Sequence, residues 1–340
     1  MEGLSTEESH CLLKNGQMLV GDNKGDTQRH DFNREIGNET SSMTIEKPKI
    51  SENVSTRVRR SHAGLCLRDF VAAEIDDFTS LSFWQACLAE FVGTFVLCVY
   101  TIGMGLYMPG TEPPTLLHLA LGTGVFIAVL VTSLAAVSGC HINPAVTLGF
   151  AVLRYISVSR AVAFIIFQCA GAVSGSMALK VMIHPDLVGT LGVILPAKGI
   201  TDVQALVMEF LITAFLLFAV MSMVDKGRTD IQGSIPLIVG LTVAANILLG
   251  GPTSGAAMNP ARALGPAVVM GNYRKQWIYW VGPSCGGVAA ALFYDRLFSS
   301  GASLTSMLDC YCSRGAEYKA VVKKEAAKLN NDMELETTIA

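Results

Sequence analysis

Long apolar segments alternate with polar connections between residues 83 and 298. We place six of them at 83–107, 115–137, 161–183, 203–224, 234–250 and 276–298. About 20 helical residues cross the hydrocarbon layer of a bilayer, so this pattern predicts six transmembrane helices. Two further apolar stretches, 143–153 and 259–270, are too short to cross. We expect them to form half-length helices enclosed by protein, because unpaired backbone groups are too costly in lipid.

The ends of the chain differ from this apolar middle. Residues 1–82 contain ten of the 25 Lys and Arg and neither Trp nor Tyr, and residues 299–340 are similarly polar. We therefore predict a disordered N-terminal tail at 1–82, a membrane domain at 83–298 and a C-terminal tail at 299–340. Most basic residues fall in the two tails and in the connections on the same side of the membrane. This bias predicts that both termini are cytosolic, and we expect a plasma membrane location.

The membrane domain contains an internal repeat. Residues 138–149 (SGCHINPAVTLG) and 254–265 (SGAAMNPARALG) are identical at seven of twelve positions. Gly124 and Gly240 are separated by the same number of residues as the two motifs, and Gly171 and Gly286 by nearly the same number. The two repeats, 83–183 and 203–298, each contain three predicted spans and one half-helix. Because three is odd, the repeats must insert with opposite orientations, and a functional site is expected near the midplane where they meet.

The centres of the repeated motifs are Asn143-Pro144-Ala145 and Asn259-Pro260-Ala261. Each Asn is expected to cap its half-helix and each Pro to occupy the first turn. Opposed insertion then brings the two helix N-termini together, with their amide groups and dipoles directed at one place. Such a place repels cations and attracts the oxygen of water. A turn without a function is the alternative interpretation of a lone Asn-Pro, but it does not explain two copies at matched positions.

These paired motifs, with Ala89-Glu90-Phe91 on the first span, resemble the major intrinsic proteins, or aquaporins. The resemblance covers about 83–298 and implies six tilted helices, two re-entrant half-helices, a homotetramer and one pore in each protomer. The run 250–269, followed by 277–283, is most similar to the ammonia- and peroxide-permeable animal aquaporins and to the plant tonoplast intrinsic proteins. The implied substrates are water and small neutral solutes.

Acidic residues occur well inside two of the predicted spans. Glu90 and Glu209 are matched in the repeat, and buried carboxylates are costly enough to suggest a purpose. A proton-coupled carrier is one interpretation. The family resemblance implies another, in which each carboxylate accepts hydrogen bonds from a re-entrant loop and braces it.

The resemblance also implies a selectivity constriction. It maps to Thr123, Ile247, Ala256 and Arg262, where strict water channels have Phe, His, Cys and Arg. Arg262 lies where the first repeat has Val146, and its permanent charge would block cations, although a salt-bridged structural arginine is the alternative. His141 is implied to line the pore, with a packed core histidine as the alternative.

Composition argues against other classes of protein. The formal net charge of −3 comes with no basic stripe of the kind nucleic acid requires. The nine cysteines show no metal-site spacing, and we expect no metal and no cofactor. The sequence shows neither a nucleophile with a nearby base nor a phosphate-binding loop, so nothing in it indicates an enzyme. The competing hypotheses are an inverted-repeat secondary transporter of a small polar solute and an adhesive scaffold.

Overall fold

The computed structural model describes residue 68, residues 70–230, residues 233–300 and residue 302. The predictions of disorder for most of both tails lie outside these residues. Within them the regular structure is helical. A short helix α1 (70–78) is followed by α2 (Leu81–Gly103), α3 (Leu116–Ser138), α4 (Pro144–Val152) and α5 (Val158–Met182). After the four-residue α6 (Pro185–Val188) come α7 (Asp202–Val224), α8 (Ile235–Gly250), α9 (Pro260–Met270) and α10 (Gln276–Leu297).

The long helices match the six predicted spans to within a few residues, and α4 and α9 match the two half-helices. The predicted all-α fold is confirmed. Among the described helices, α2, α3, α5 and α7 are long and apolar enough to cross a membrane by themselves. α8 is apolar but has 16 residues. α10 is less apolar, with Gly282, Pro283 and a pair of glycines in its middle.

Hydroxyl side chains fix where most of the long helices begin. In each of these helices a Ser or Thr hydroxyl accepts a hydrogen bond from a backbone N–H of the first turn, which would otherwise lack a partner. The capping residues of α2, α3, α5, α7 and α8 are Ser80, Thr115, Ser157, Thr201 and Ser234.

One part of the predicted N-terminal tail is ordered. Residues 70–78 form α1, and α2 begins at Leu81, so the tail boundary predicted at residue 82 is too late for these residues. The sequence analysis counted the charged residues of this stretch and overlooked the helical spacing of Val71, Ile75 and Phe78. The polar groups that hold α1 in place lie about 80 residues away along the chain.

The two repeats pack in the same way. In the first, α2 packs on α5, and in the second, α7 packs on α10. Gly171 and Gly286 occupy matching places at these contacts. A Cβ on Gly171 would lie 2.4 Å from the carbonyl oxygen of Phe91, and a Cβ on Gly286 would lie 2.2 Å from that of Phe210. Both helix pairs therefore need glycine at the crossing.

The half-helices interlock the repeats. α4 belongs to the first repeat but packs more extensively on α10 than on α5, and α9 of the second repeat packs more on α5 than on α10. Each half-helix is thus enclosed by protein, as the cost of unpaired backbone in lipid requires.

Candidate functional site

The N-terminal tips of α4 and α9 meet and are hydrogen-bonded to each other. The Asn143 amide Nδ2 donates to the carbonyl oxygen of Met258 at 2.9 Å. In return, the Asn259 Nδ2 donates to the carbonyl oxygen of Ile142 at 2.8 Å. The exchange is reciprocal, since each asparagine bonds the residue that precedes the other. It leaves one N–H on each amide for a further acceptor.

Each asparagine also caps its own half-helix. The Asn143 Oδ1 accepts from the backbone N–H of Ala145 at 2.9 Å, and the Asn259 Oδ1 accepts from those of Ala261 and Arg262 at 3.0 and 3.2 Å. Pro144 and Pro260 occupy the first helical position, where a missing N–H costs nothing. The side-chain oxygens are therefore held by the helices while the amide nitrogens point between them.

The loops that lead into the half-helices have the same unusual backbone. Gly139 and Gly255 have φ of 82° and 93°, and Cys140 and Ala256 both have φ of 50°. Ile142 and Met258 are also left-handed, with φ of 43° and 51°. Non-glycine residues in this region are strained and persist only where the surroundings enforce them.

Two buried carboxylates enforce that backbone. Glu90, on α2, accepts from the backbone N–H of His141 at 2.8 Å and that of Ile142 at 2.5 Å. It also accepts from Ser138 Oγ at 2.6 Å and Gln168 Nε2 at 2.7 Å. The side chain is fully buried, and all four donors are neutral.

Glu209 repeats this arrangement in the second half. It accepts from the backbone N–H groups of Ala257 and Met258 at 2.9 and 2.8 Å and from Ser254 Oγ at 2.7 Å. Neither carboxylate is among the described residues that line the cavity between the half-helices. Both carboxylates thus accept hydrogen bonds from the loops and do not line the cavity, which favours a structural brace over a proton-coupled carrier.

A cavity of about 510 Å³ lies where the repeats meet. All eight residues of the two loops, 139–142 and 255–258, line it. The residues lining the same cavity also include Asn143, Asn259, Thr123, Ile247 and Arg262, whereas the predicted pore residues Pro144, Ala145, Pro260 and Ala261 are not among them. The wall also includes apolar side chains, among them Val220, Val224 and Ile235.

Arg262 lines the cavity, and its guanidinium is hydrogen-bonded to the backbone of Gly192. Its Nη1 donates to the carbonyl oxygen of Gly192 at 2.7 Å, and no carboxylate among the described residues forms a salt bridge with it. Gly192 is left-handed (φ 66°), and a Cβ there would lie 3.2 Å from Ile102 and 3.4 Å from Arg262 Nη2. The guanidinium is therefore held next to the cavity by the backbone of Gly192.

His141 lies in the same wall but is also well packed. Its Nδ1 is 3.2 Å from the hydroxyl of Thr147, and its ring lies 4.6 Å from that of Phe150. Thr147 in turn accepts from Gln168 at 2.9 Å, which links His141 to the Glu90 brace. His141 therefore lies against the cavity and also makes packing contacts.

The sequence analysis missed several residues of the site. Ser138 and Ser254 could have been found, because they are identical and in register within the repeated motif. Gln168 and Gly192 carried no such signal. The position in α10 that corresponds to Gln168 is Pro283, and Gly192 lies in the connection between the repeats.

The sequence of this chain is similar to those of known proteins. The family model of the major intrinsic proteins matches residues 77–294. Mouse aquaporin-4 is 37% identical over 255 residues, which cover 74% of this chain and 79% of the mouse protein. Human aquaporin-1 is 36% identical over 248 residues, covering 71% of this chain and 92% of its own.

A solved structure supports the fold as well. The X-ray structure of the aquaglyceroporin from Plasmodium falciparum matches with a TM-score of 0.56 and 23% identity, covering 63% of this chain and 96% of that one. At this identity the match shows only the fold. Together with the family match over most of the membrane domain, it leads to one conclusion: the chain belongs to the major intrinsic protein family, as an integral membrane water channel of the aquaporin fold and not an enzyme.

Proposed function

We propose that this channel conducts water together with small neutral solutes such as ammonia or hydrogen peroxide, and that it excludes ions and protons. The observation that carries the proposal is the reciprocal pair of hydrogen bonds at the wall of the cavity, from Asn143 to the Met258 carbonyl and from Asn259 to the Ile142 carbonyl. It fixes two half-helix tips so that two free amide N–H groups and both helix dipoles act on one place.

This place favours an oxygen and disfavours a cation. A water molecule that accepts from both asparagines has its hydrogens directed away along the path. It can then donate to the water on each side, but it has no lone pair left to accept from either, so a proton cannot hop through it. The positive ends of the two helices add an electrostatic barrier to cations. Arg262, whose guanidinium lines the cavity and bonds the Gly192 carbonyl, adds a second barrier.

The ring around Arg262 supports passage of solutes slightly larger than water. Thr123, Ile247 and Ala256 supply small or apolar side chains where strict water channels have an aromatic ring and an imidazole. The ring is thus wider and offers fewer hydrogen bonds. Ammonia and hydrogen peroxide are close to water in size, and an apolar wall penalises them less than it penalises ions.

Assembly and orientation are part of the same proposal. We infer a homotetramer with one pore in each protomer and both termini in the cytosol, in the plasma membrane. The exposed apolar residues of α3 and α7, such as Val125, Val129, Leu211 and Phe215, support contacts with lipid or neighbouring protomers. Crosslinking in membranes tests the tetramer, and protease protection of the tails in oriented vesicles tests the orientation.

Flux measurements on the purified full-length protein in liposomes test the solutes. Stopped-flow assays should show fast water, ammonia and peroxide entry with a low activation energy and no proton or ion current. A secondary transporter would instead show saturable uptake driven by an ion gradient. Concentrative uptake of any solute, or absence of peroxide and ammonia flux in a water-conducting sample, contradicts the proposal.

A further inference from the structure

The helix α1, just before the first span, presents an exposed apolar stripe. Val71, Ile75 and Phe78 recur at helical spacing and fall on one face, since 3.6 residues make one turn. They are exposed by 46%, 56% and 47%. Three large apolar side chains left half exposed on three turns of helix need an apolar neighbour.

A different face of α1 is fixed to the protein. Glu74 accepts from Arg154 Nη1 at 2.9 Å and from the backbone N–H of Ser159 at 2.8 Å. Asp77 accepts from Arg160 Nη2 at 2.6 Å and also bonds Ser157. These contacts, which we name the α1 clasp, anchor the helix to the start of α5. They set its rotation, so the apolar stripe cannot turn inward.

The stripe continues onto the first spanning helix. The Phe78 ring packs edge to face on Trp84 of α2, with 5.3 Å between the ring centres. On α2 the exposed residues Leu81, Trp84 and Leu88 follow at helical spacing, with exposures of 74%, 46% and 59%. The apolar surface therefore runs without a break from α1 to a helix that crosses the bilayer.

A groove beside the stripe fits the same neighbour. It encloses about 420 Å³ and is lined by Phe70, Val71, Ile75 and Phe78, with Glu74 and Ser159 at its polar edge. On the remaining face of α1, Asp76 and Thr79 are exposed. One side of this helix thus suits hydrocarbon, another suits water, and the third is held by the clasp.

We propose that α1 lies in the membrane interface, with its Val71–Ile75–Phe78 stripe inserted among the lipid acyl chains of the leaflet on its own side. An amphipathic helix in this position buries its apolar face at the boundary of headgroups and acyl chains. Trp84 lies at the same level, as aromatic residues at membrane interfaces do. Continuity with α2 favours lipid over a second copy of the chain as the occupant.

Photocrosslinking of the full-length protein in phospholipid vesicles tests the proposal. A benzophenone amino acid replaces Ile75 in one variant and the adjacent, exposed Asp76 in a matched control. After irradiation, mass spectrometry should find phospholipid adducts at position 75, several-fold more than at position 76. A third variant with the probe at Val71 repeats the test if the Ile75 variant does not fold.

The other outcomes overturn the proposal. Equal and low lipid labelling at positions 75 and 76 would mean that the stripe faces water. Covalent dimers formed through position 75 or 71 would mean that a neighbouring protomer covers it. Both readouts are independent of the solutes conducted, so a failure of the permeability proposal leaves this test intact.

Discussion

Gly124 and Gly240 lie backbone to backbone where α3 crosses α8. A Cβ on Gly124 would lie 2.6 Å from the carbonyl oxygen of Gly240, and a Cβ on Gly240 would lie 2.2 Å from that of Gly124. The two residues are matched positions of the two repeats, so the contact is symmetric. It sets the separation of the helices that carry Thr123 and Ile247 into the cavity wall.

Substitution of Gly124 by Ala should therefore lower stability. The added methyl group meets backbone that cannot move without shifting α8, and such overpacking costs about 1–3 kcal/mol. We expect a lower midpoint of thermal unfolding in detergent, followed by circular dichroism, and a lower water permeability. The loss of stability from overpacking should exceed the gain of about 1 kcal/mol in helix propensity that Ala brings over Gly.

Gly122→Ala is the matched control on the same helix. Its Cβ would lie 2.6 Å from the Met104 sulfur, which is part of a flexible side chain and can move aside. We expect its unfolding midpoint to equal or exceed that of the parent protein. Equal destabilisation by the two substitutions would show that the α3–α8 contact is not the cause.

The sequence predicts the elements that follow from apolar length and from the repeat. The spans, the half-helices, Asn143 and Asn259 and the two glutamates each have either a long apolar run or a matched partner. Partners outside that symmetry carry no such signal. Gly192 supports Arg262 from a connection about 70 residues away. The helix α1 is short. The residues that hold it in the clasp lie far away in the sequence, so helical periodicity does not reveal them.

Narrowing the ring around Arg262 should change which solutes pass. The double variant Thr123→Phe and Ile247→His places an aromatic ring and an imidazole in the cavity wall. A steric penalty of about 1.4 kcal/mol lowers a rate tenfold, so peroxide flux should fall by roughly tenfold or more while water flux persists. Stopped-flow assays with water, ammonia, peroxide and glycerol measure the ratios.

Thr132→Val serves as the control for that variant. Thr132 is exposed on α3, and its hydroxyl bonds the Ala128 carbonyl at 2.8 Å on the helix itself. The substitution should leave all solute ratios unchanged. If the double variant also left the peroxide-to-water ratio unchanged, the assignment of the constriction to these residues would be wrong.

Removal of the Arg262 charge should open the channel to cations. Arg262→Val gives the second repeat the residue of the first, Val146, and deletes a unit charge beside the path. At about 4 Å and an effective dielectric constant of 20, that charge opposes a cation by roughly 4 kcal/mol. We expect proton and cation leak to rise at least about tenfold, because the two helix tips remain as a barrier.

Proton flux into vesicles that contain a pH-sensitive dye measures this leak. Arg274→Val, which removes an exposed arginine in the connection before α10, is the control and should leave the flux at the level of the parent protein. A proton leak that rose equally in both variants, or in neither, would remove Arg262 from the proposed barrier.

The contribution of the α1 clasp to the stability of the channel should depend on pH only in the acidic range. Burial acts to raise the pKa of Glu74. Hydrogen bonds from the Ser159 and Val158 backbone, the Ser159 hydroxyl and Arg154 outweigh it, so the pKa lies below the ordinary value of 4.5. A carboxyl with a lowered pKa stabilises the folded state above its ordinary pKa. That contribution is lost as the pH falls through the lowered value.

Glu74→Gln should consequently lower the unfolding midpoint by roughly 2–4 °C at neutral pH, the shift expected for loss of about 1 kcal/mol. The difference from the parent protein should stay constant from neutral pH to about 5.5 and shrink below 4.5 as Glu74 itself takes up a proton. Glu112→Gln, an exposed carboxylate before α3, should show no such difference. If the difference in unfolding midpoint between Glu74→Gln and the parent grew on acidification, the prediction would be wrong. That result would mean that the ionised carboxylate opposes folding despite the four donors around it.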